Sequence, residues 1–540
     1  MRRFFFQKIN TERQLALLIL VLFVSIFLNF YRLGDLPREP YSFDMIHDIN
    51  RANSILKGRF VVFFPENNFP AGGVEVGFYY LSALVSLLTK IPVSFLLFKI
   101  ISASLAVIST MLLFILISEE FDVFVAALTS LYFTVSSWLF LIVRIAYRGI
   151  TLIPLIILII LFFSKFSKRK QRDFVLLGVI LSLGIYFNAV FMFILLIVFP
   201  LLLLITFLSF LHGGKWRNNL LGFAVTCITF FVLCSPILRY AYLRPNVFFG
   251  RIMYRNFERK TAGFTSKEYL QKLASNYQKV IFNIGKEGTG RSFPHYVNSY
   301  PGAALLSRTV SLLFLAGFLI AMFNLFKKRK TLFISLVLLV LIVFPLPNVL
   351  FSTGFEAEIP DVFRLVLGII PTYIIIAFVI DSIEATLIKS GLGKKAELAG
   401  RFLFFFAIFT LTFMVFKENL KRNYVYYPRQ YAWQNFPFYE AVAKEVNNSN
   451  SRIFINMHYP FDREVYAYFV DQKSLQETKF IDDVNKIKNE SRIEGDKFIV
   501  ISDNGRIDRT GLFGECSTKE NYSQVGLFVF TTITCRRSIR

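Results

Sequence analysis

The sequence predicts an α-helical polytopic membrane protein with about eleven spans, outer surface helices and a small C-terminal α/β domain outside the membrane. Of its 540 residues, 55% are hydrophobic and only 18% are charged, whereas soluble domains average about 25% charged residues. The 124 residues from Lys417 onward are different, since they hold 19 Lys and Arg and 16 Asp and Glu. We therefore expect a membrane domain over residues 1–416 and an extracytoplasmic domain over residues 417–540.

Eleven stretches are long and apolar enough to cross a bilayer, which requires roughly 20 mostly apolar residues. We expect spans at residues 14–31, 93–117, 122–142, 149–165, 174–188, 190–211, 219–238, 302–325, 331–351, 361–385 and 399–416. The first stretch lacks a small-residue cleavage site, so we interpret it as an uncleaved span and not as a signal peptide.

The basic loops orient these spans. If the short apolar stretch at residues 75–90 does not cross, all five basic loops fall on one side, which the positive-inside rule makes cytoplasmic. We therefore predict a multi-pass protein of the plasma membrane with its N-terminus in the cytoplasm. Residues 75–90 then form a helix that lies in the outer leaflet without crossing the membrane. The outer side then holds four segments: the first outer loop at 32–92, a turn at 143–148, the long outer loop at 239–301 and a turn at 352–360.

The first outer loop contains an amphipathic pattern over residues 42–58. Met45, Ile49, Ala52 and Leu56 recur at helical spacing on one side, and Gly58 is a typical helix stop. Asp44, Asp48 and Arg51 share the other side. This pattern predicts a helix along the membrane surface that presents carboxylates at the level of the lipid headgroups.

Here the sequence resembles the GT-C class of membrane glycosyltransferases, most closely the protein O-mannosyltransferase and lipid A aminoarabinose transferase superfamily. The matching feature is an Asp that opens a surface helix ending in a hydrophobic-x-Gly pattern, as Asp44 and Ile55-Leu56-Lys57-Gly58 do. Further segments match in order along about 400 residues. They are Pro70-Ala71-Gly72-Gly73, Phe78-Tyr79-Tyr80-Leu81, Lys99 and its neighbours, residues 143–148, residues 235–251, and residues 359–371 with Arg364.

The resemblance implies an enzyme that takes a sugar from a polyprenyl phosphate and transfers it, with inversion, to an acceptor hydroxyl on a lipid, glycan or protein. Asp44 is then the general base, because partial desolvation raises a carboxylate pKa toward a useful range. Asp48 would hold Arg51 or a substrate hydroxyl. From residue type alone, a helix N-cap is the better explanation of Asp44.

This sequence departs from the family pattern at several positions, and these departures restrict the kind of group that the enzyme is expected to transfer. The acidic residue that follows the first Asp in many relatives is Met45 here, and no Asp lies between Arg144 and Pro154. The Trp-Trp-Asp sequence of oligosaccharyltransferases is also absent. The sequence therefore favours transfer of one hexose or pentose over transfer of a whole glycan.

Cationic side chains on the outer side are candidates for binding the donor phosphate, since Arg suits bidentate phosphate contact. Residues 239–308 hold twelve basic residues against three Glu, although attraction to anionic headgroups explains such a surplus equally well. Charges at span ends are expensive and usually functional. The candidate substrate-binding residues are Arg51, Lys99, Arg144, Arg148, Arg251, His295 and Arg364.

Neither metal nor cofactor has a defined site in the sequence. No cluster of His, Cys and carboxylate residues has metal-ligand spacing. The sequence therefore identifies no ligands for a divalent metal, and whether the reaction requires one stays open. No glycine-rich nucleotide loop is found. The net charge of +24 is explained by the membrane topology and the outer surplus, so nucleic acid is not an expected partner.

Two other classes share this composition. A lipid-linked sugar flippase or transporter would show internal repeats and ionisable groups near mid-membrane, whereas the ionisable groups here collect at the outer surface. A non-catalytic protein that kept the fold and lost the base is the other alternative.

Overall fold

The computed structural model describes most of the chain. The described residues are 12–36, 43–65, 73–166, 169–212, 216–249, 265–283, 305–327, 330–351, 365–388, 394–426, 438–447, 452–456, 466–467, 469–480, 497–502, 515–522 and 528–536.

The described helices before the C-terminal domain form a bundle with short surface elements at one end. In chain order they are α1 Glu12–Phe30, α2 Phe43–Leu56, α3 Gly77–Thr89, α4 Phe95–Glu120, α5 Val123–Thr134, α6 Ser137–Arg144, α7 Leu152–Ser164, α8 Gln171–Phe187, α9 Met192–Leu211, α10 Trp216–Leu243, α11 Pro245–Phe248, α12 Ser266–Asn283, α13 Arg308–Phe326, α14 Thr331–Val343, α15 Leu346–Phe351, α16 Ile369–Ile388 and α17 Lys394–Lys421. Single turns of 3₁₀ helix occupy Arg148–Thr151, Ala189–Phe191 and Val366–Gly368, and a π-helical turn occupies Arg422–Tyr426.

Each predicted span coincides with a helix or a pair of helices. Among the described residues, six helices are long and apolar enough to cross a membrane, or seven when α5 and α6 count as one broken span. Helix α3 has 13 residues, which at 1.5 Å per residue is about 20 Å and too short for a hydrocarbon core of about 30 Å. The chain is a multi-pass membrane protein.

The predicted span at 122–142 is broken into α5 and α6, with a bend of 51° between them. Side chains near the end of α17 bond to the backbone groups at this break. Asn423 donates from Nδ2 to the carbonyl of Val135, and Asn419 accepts from the Ser137 amide through Oδ1. A break inside a bundle is stable because neighbouring side chains replace the missing helix bonds.

Contacts sort the helix ends into two groups, as an alternating bundle requires. At one end, Lys165 pairs with Glu119 and Lys330 pairs with Glu120, so basic loops that we predict to share a side do so. At the other end, Arg144 reaches the last turn of α1. The first outer loop, the 144–148 turn and the end of α10 lie at this second end, which we call the loop end.

The C-terminal domain is a small α/β unit, as predicted. It contains helices α18 Phe438–Asn447 and α19 Gln472–Gln476, and strands β3 Arg452–Asn456, β4 Thr478–Phe480, β5 Lys497–Ser502, β6 Glu515–Tyr522 and β7 Phe528–Arg536. The strand order is β4-β3-β5-β7-β6, with parallel pairing of β3 to β4 and β5 and antiparallel pairing around β7. Cys516 is disulfide-bonded and stands opposite Cys535 in the β6–β7 register, while the other two cysteines are free.

Candidate functional site

Helix α2 carries the two predicted acidic residues of the site and lies at the loop end. It ends where Gly58 takes a φ of +88°, a left-handed conformation that favours glycine. Its buried side chains are Ile46, Ile49, Ala52 and Ile55. The helix is therefore packed on an apolar side that includes Ile49 and Ala52 of the predicted pattern, while the other two predicted residues, Met45 and Leu56, are half-buried.

Helix α3 packs against α2 and follows directly after a short hairpin of β1 Phe63–Pro65 and β2 Gly73–Glu75. Gly77, the first residue of α3, touches the end of α8, where a Cβ atom would come within 2.8 Å of the Tyr186 carbonyl oxygen. The Tyr80 hydroxyl bonds both the amide and the carbonyl of Val61, at 3.0 and 2.9 Å. These contacts fix the position of α3 and of the loop that leads to β1.

A hydrogen-bonded cluster joins α2 to α3. Asp48 Oδ1 accepts from Arg51 Nη1 at 2.8 Å and from the Tyr79 hydroxyl. Tyr79 itself is fully buried, whereas Asp48 and Arg51 side chains keep 20% and 13% of their surface exposed. The polar side of α2 is thus turned toward α3 over these two residues, which the sequence pattern did not predict.

Arg148 connects this cluster to the hairpin. Its Nη1 donates to the Tyr79 hydroxyl at 2.8 Å and lies 3.8 Å from Asp48 Oδ1. Its Nε lies 3.9 Å from Glu75 Oε2, and Glu75 Oε1 accepts from the amide of Ala189 at 3.0 Å. One carboxylate and two guanidinium groups therefore contact the Tyr79 hydroxyl, and Glu75 pairs with one of those guanidinium groups. We call Asp48, Arg51, Glu75, Tyr79 and Arg148 the Tyr79 cluster.

The turn that delivers Arg148 is closed by a Schellman motif after α6. The amide of Ala146 bonds the Val143 carbonyl and the amide of Tyr147 bonds the Ile142 carbonyl, both at 3.0 Å. Ala146 has a φ of +55°, which for a residue with a Cβ costs roughly 1–2 kcal/mol. Backbone strain of this kind is concentrated at functional sites, and here it directs the next residues toward Tyr79.

The contacts of the Asp48 carboxylate converge on one oxygen. Among the described residues, its hydrogen bonds from Arg51 and Tyr79 and its ion pair with Arg148 all involve Oδ1. Arg148 donates from Nη1 to the Tyr79 hydroxyl, while its buried Nε has no hydrogen-bond partner among the described residues. The cluster can therefore offer an acceptor oxygen and a cationic donor to one substrate.

Burial and charge act on the pKa values in the cluster. Burial raises the pKa of the Tyr79 phenol, and the Asp48 carboxylate adds to this while Arg148 opposes it. Burial lowers the pKa of Arg51, but the fields of Tyr79 and Asp48 outweigh that and leave it raised. Tyr79 therefore stays a proton donor to Asp48, and Arg51 stays a cation.

Lys99 and Arg144 lie in a second group, at the C-terminal end of α1. Arg144 Nη2 donates to the carbonyls of Leu28 and Tyr31 at 3.1 and 2.6 Å. Lys99 Nζ donates to the carbonyl of Leu33 at 2.8 Å. Both side chains are fully buried. They satisfy the carbonyl groups that a helix end leaves open, just before the chain reaches α2.

Of the four remaining predicted site residues, one lies in a described helix and three lie outside the described residues. Asp44 lies in the first turn of α2, four residues before Asp48. Arg251, His295 and Arg364 lie outside the described residues. Across the described ranges, no group of three or more His, Cys, Asp or Glu side chains is placed to hold a metal ion.

Sequence reasoning did not select Tyr79 or Glu75 as site residues. Glu75 carried a usable signal, because a lone carboxylate between Val74 and Val76 at the start of an apolar helix is unusual. Tyr79 lay in a segment that matches the family, Phe78-Tyr79-Tyr80-Leu81, but nothing in residue type separates it from an interfacial aromatic.

Known proteins resemble this chain in structure and not in sequence. No protein-family profile and no curated protein sequence matches it. The archaeal oligosaccharyltransferase AglB from Archaeoglobus fulgidus, solved with an inhibitory peptide and a dolichol-phosphate, has a TM-score of 0.52 at 13% identity, over 96% of this chain and 74% of that one. The apo form of the Archaeoglobus fulgidus oligosaccharyltransferase gives 0.52 at 12% identity, over 97% and 75%.

The chain has the GT-C fold. ArnT from Cupriavidus metallidurans, bound to undecaprenyl phosphate, also aligns over 97% of both chains, with a TM-score of 0.49 and 12% identity. The two Archaeoglobus fulgidus structures confirm the helical GT-C membrane fold that the sequence predicts. In this GT-C chain the Tyr79 cluster joins the first outer loop to the 144–148 turn, at the loop end of the bundle.

Proposed function

We propose that this chain is a glycosyltransferase that moves one sugar, with inversion, from a polyprenyl phosphate to an acceptor hydroxyl at the outer face of the plasma membrane. The GT-C fold supports the reaction class, and a structural neighbour was solved with a dolichol-phosphate. The positive-inside distribution of the basic loops supports placing the loop end outside the cell.

One observation carries the proposal: a helix with two acidic residues is fixed to the bundle by the Tyr79 cluster. Asp48 is held by Arg51 and Tyr79, and Asp44 lies one helical turn earlier on the same helix. A carboxylate used as a base must be held in place relative to its substrate. The bonds of Asp48 provide that rigidity to α2.

In the proposed reaction, the Asp44 carboxylate takes the proton of the acceptor hydroxyl. The hydroxyl oxygen attacks the anomeric carbon from the side opposite the phosphate. The bond between that carbon and the phosphate oxygen breaks, and the polyprenyl phosphate leaves with the electron pair. Arg148 stabilises its charge, and Arg251, Arg364 and His295 are further candidates. Asp48 Oδ2 accepts from a sugar hydroxyl.

Transfer of a single sugar remains our proposal although a structural neighbour is an oligosaccharyltransferase. The chain contains only Trp138, Trp216 and Trp433, and none of them belongs to a Trp-Trp-Asp sequence. The donor is a hexosyl or pentosyl polyprenyl phosphate, and the acceptor is a lipid, a glycan or a protein.

The direct test supplies the purified chain in liposomes with polyprenyl phosphate sugars that carry a radiolabel on the sugar. We expect the label to appear on an added acceptor fraction, and the same reaction with a chelator measures metal dependence. A flippase would instead move the labelled lipid to the other leaflet without forming a new glycosidic bond. Label that stays on the polyprenyl phosphate with every acceptor fraction would contradict the proposal.

A further inference from the structure

Helix α12 is the longest described helix that lies wholly within the long outer loop, and the proposed function gives it no role. It packs beside α15, and on this side Asn276 and Val280 are 1% and 0% exposed. The Tyr277 hydroxyl donates to the carbonyl of Ile342 at 2.8 Å. Because Ile342 lies in the last turn of α14, this bond fixes α12 at the loop end of that helix.

The part of α14 that Tyr277 reaches belongs to the outer, apolar surface of the bundle. Ile342 is 57% exposed. Leu339 of the same helix is also exposed, as are Leu312, Leu315 and Leu319 of the neighbouring helix α13. A continuous apolar surface of this kind faces lipid in a multi-pass membrane protein. Helix α12 is therefore fixed at the rim where the lipid-facing surface ends.

Beside Tyr277, α12 has an apolar strip that no described element covers. Leu270 and Ile281 are 64% and 39% exposed. With Tyr277 they occupy positions i, i+7 and i+11, which fall on one side of a helix. The same helix carries Lys267, Lys272 and Lys279 against the single Glu268, a balance that favours anionic headgroups.

We propose that α12 is an interfacial helix whose strip of Leu270, Tyr277 and Ile281 enters the lipid leaflet next to α14. Interfacial helices place their apolar side about 5–10 Å into the boundary between headgroups and acyl chains. The strip continues the lipid-facing surface past the end of α14. The leaflet thereby holds the basic outer loop close to the membrane at the end of the bundle where the Tyr79 cluster lies.

The test uses tryptophan reporters in the full chain, reconstituted in nanodiscs of phosphatidylcholine brominated near the headgroup. Leu270→Trp and Ile281→Trp place a reporter on the strip. Phe282→Trp is the matched control, because Phe282 is 73% exposed yet lies about 100° around the helix from Ile281. The unsubstituted chain gives the emission of the native tryptophans, which is subtracted.

We expect brominated lipid to remove the emission added at positions 270 and 281 and to leave the emission added at position 282. Equal quenching at all three positions, or no quenching on the strip, overturns the proposal. If a second copy of the chain covers the strip, the strip reporters escape quenching and Leu270→Asp lowers the mass of the particle in detergent. That result also overturns it.

Discussion

The hydroxyl of Tyr79 accepts a hydrogen bond from Arg148 at 2.8 Å and donates its own proton to Asp48. Because these residues come from three separate elements, this one hydroxyl ties the 144–148 turn, α2 and α3 together. A buried polar group with all its partners in place rigidifies a site, and the loss of one partner is costly.

Replacing Tyr79 with Phe removes this shared hydroxyl and leaves Asp48 and Arg148 without it. We expect the free energy of unfolding to fall by about 1–3 kcal/mol, measured by thermal unfolding in detergent. Tyr80→Phe is the matched control in the same helix, since its hydroxyl bonds only the Val61 backbone. We expect Tyr79→Phe to reduce the transfer activity and Tyr80→Phe to leave it unchanged. Equal activity in both variants would argue against a role for the cluster.

Stability should also depend on pH through Tyr79. Burial raises the pKa of this phenol above the ordinary value, which is about 10. Below pH 10 the Tyr79 phenol keeps its proton in both the folded and the unfolded chain, so its hydrogen bonds contribute fully to the stability of the fold. Above that, the unfolded chain loses the proton first, which favours unfolding. The difference in melting temperature between the parent chain and Tyr79→Phe should therefore shrink as the pH rises above about 10; a constant difference would contradict this.

Asp44→Asn tests the proposed base. We expect the transfer rate to fall by about 10²–10⁴-fold, the usual contribution of general base catalysis, while the melting temperature stays near that of the parent chain. Asp35→Asn is the control, because Asp35 is an exposed carboxylate in the same outer loop, paired with Arg32. Near-normal turnover in Asp44→Asn would remove Asp44 from the mechanism.

Arg148→Met should weaken binding of polyprenyl phosphate and destabilise the fold, because Asp48 and Glu75 lose a shared cation. Removing one partner of a buried charge group typically costs about 3–5 kcal/mol. Adding Glu75→Gln removes an opposing charge, so the double variant should recover part of the stability and none of the donor binding. Recovery of both would make Arg148 a structural residue. Arg172→Met, at a 67% exposed side chain, controls for loss of a positive charge.

Arg144→Met separates a positioning role from a phosphate-binding role. Arg144 donates to the carbonyls of Leu28 and Tyr31, so its loss removes two hydrogen bonds from the end of α1, where the Tyr424 hydroxyl still donates to Leu28. We expect the free energy of unfolding to fall by about 1–3 kcal/mol and the donor KM of the folded enzyme to stay unchanged. A selective rise in the donor KM would instead support direct contact with the phosphate.

Much of the fold is readable from local sequence. A hydrophobic stretch of span length has few alternatives to a helix in lipid, so the positions of the eleven stretches and of α3 follow from composition. The stop at Gly58 follows from its preference for a left-handed conformation. Positions where helices break are harder, because the break between α5 and α6 depends on Asn419 and Asn423, about 280 residues away in the chain.

The sequence by itself determined the fold class, the alternation of the loops and the acidic surface helix, since each depends on periodicity, length or charge within one segment. Only the tertiary structure decided which charged residues meet. Arg144 and Arg148 are four residues apart and look equivalent in sequence, yet Arg144 binds the end of α1 and Arg148 binds Tyr79. The left-handed turn at Ala146 separates them, and long-range packing, which no local pattern encodes, sets the partners that each one finds.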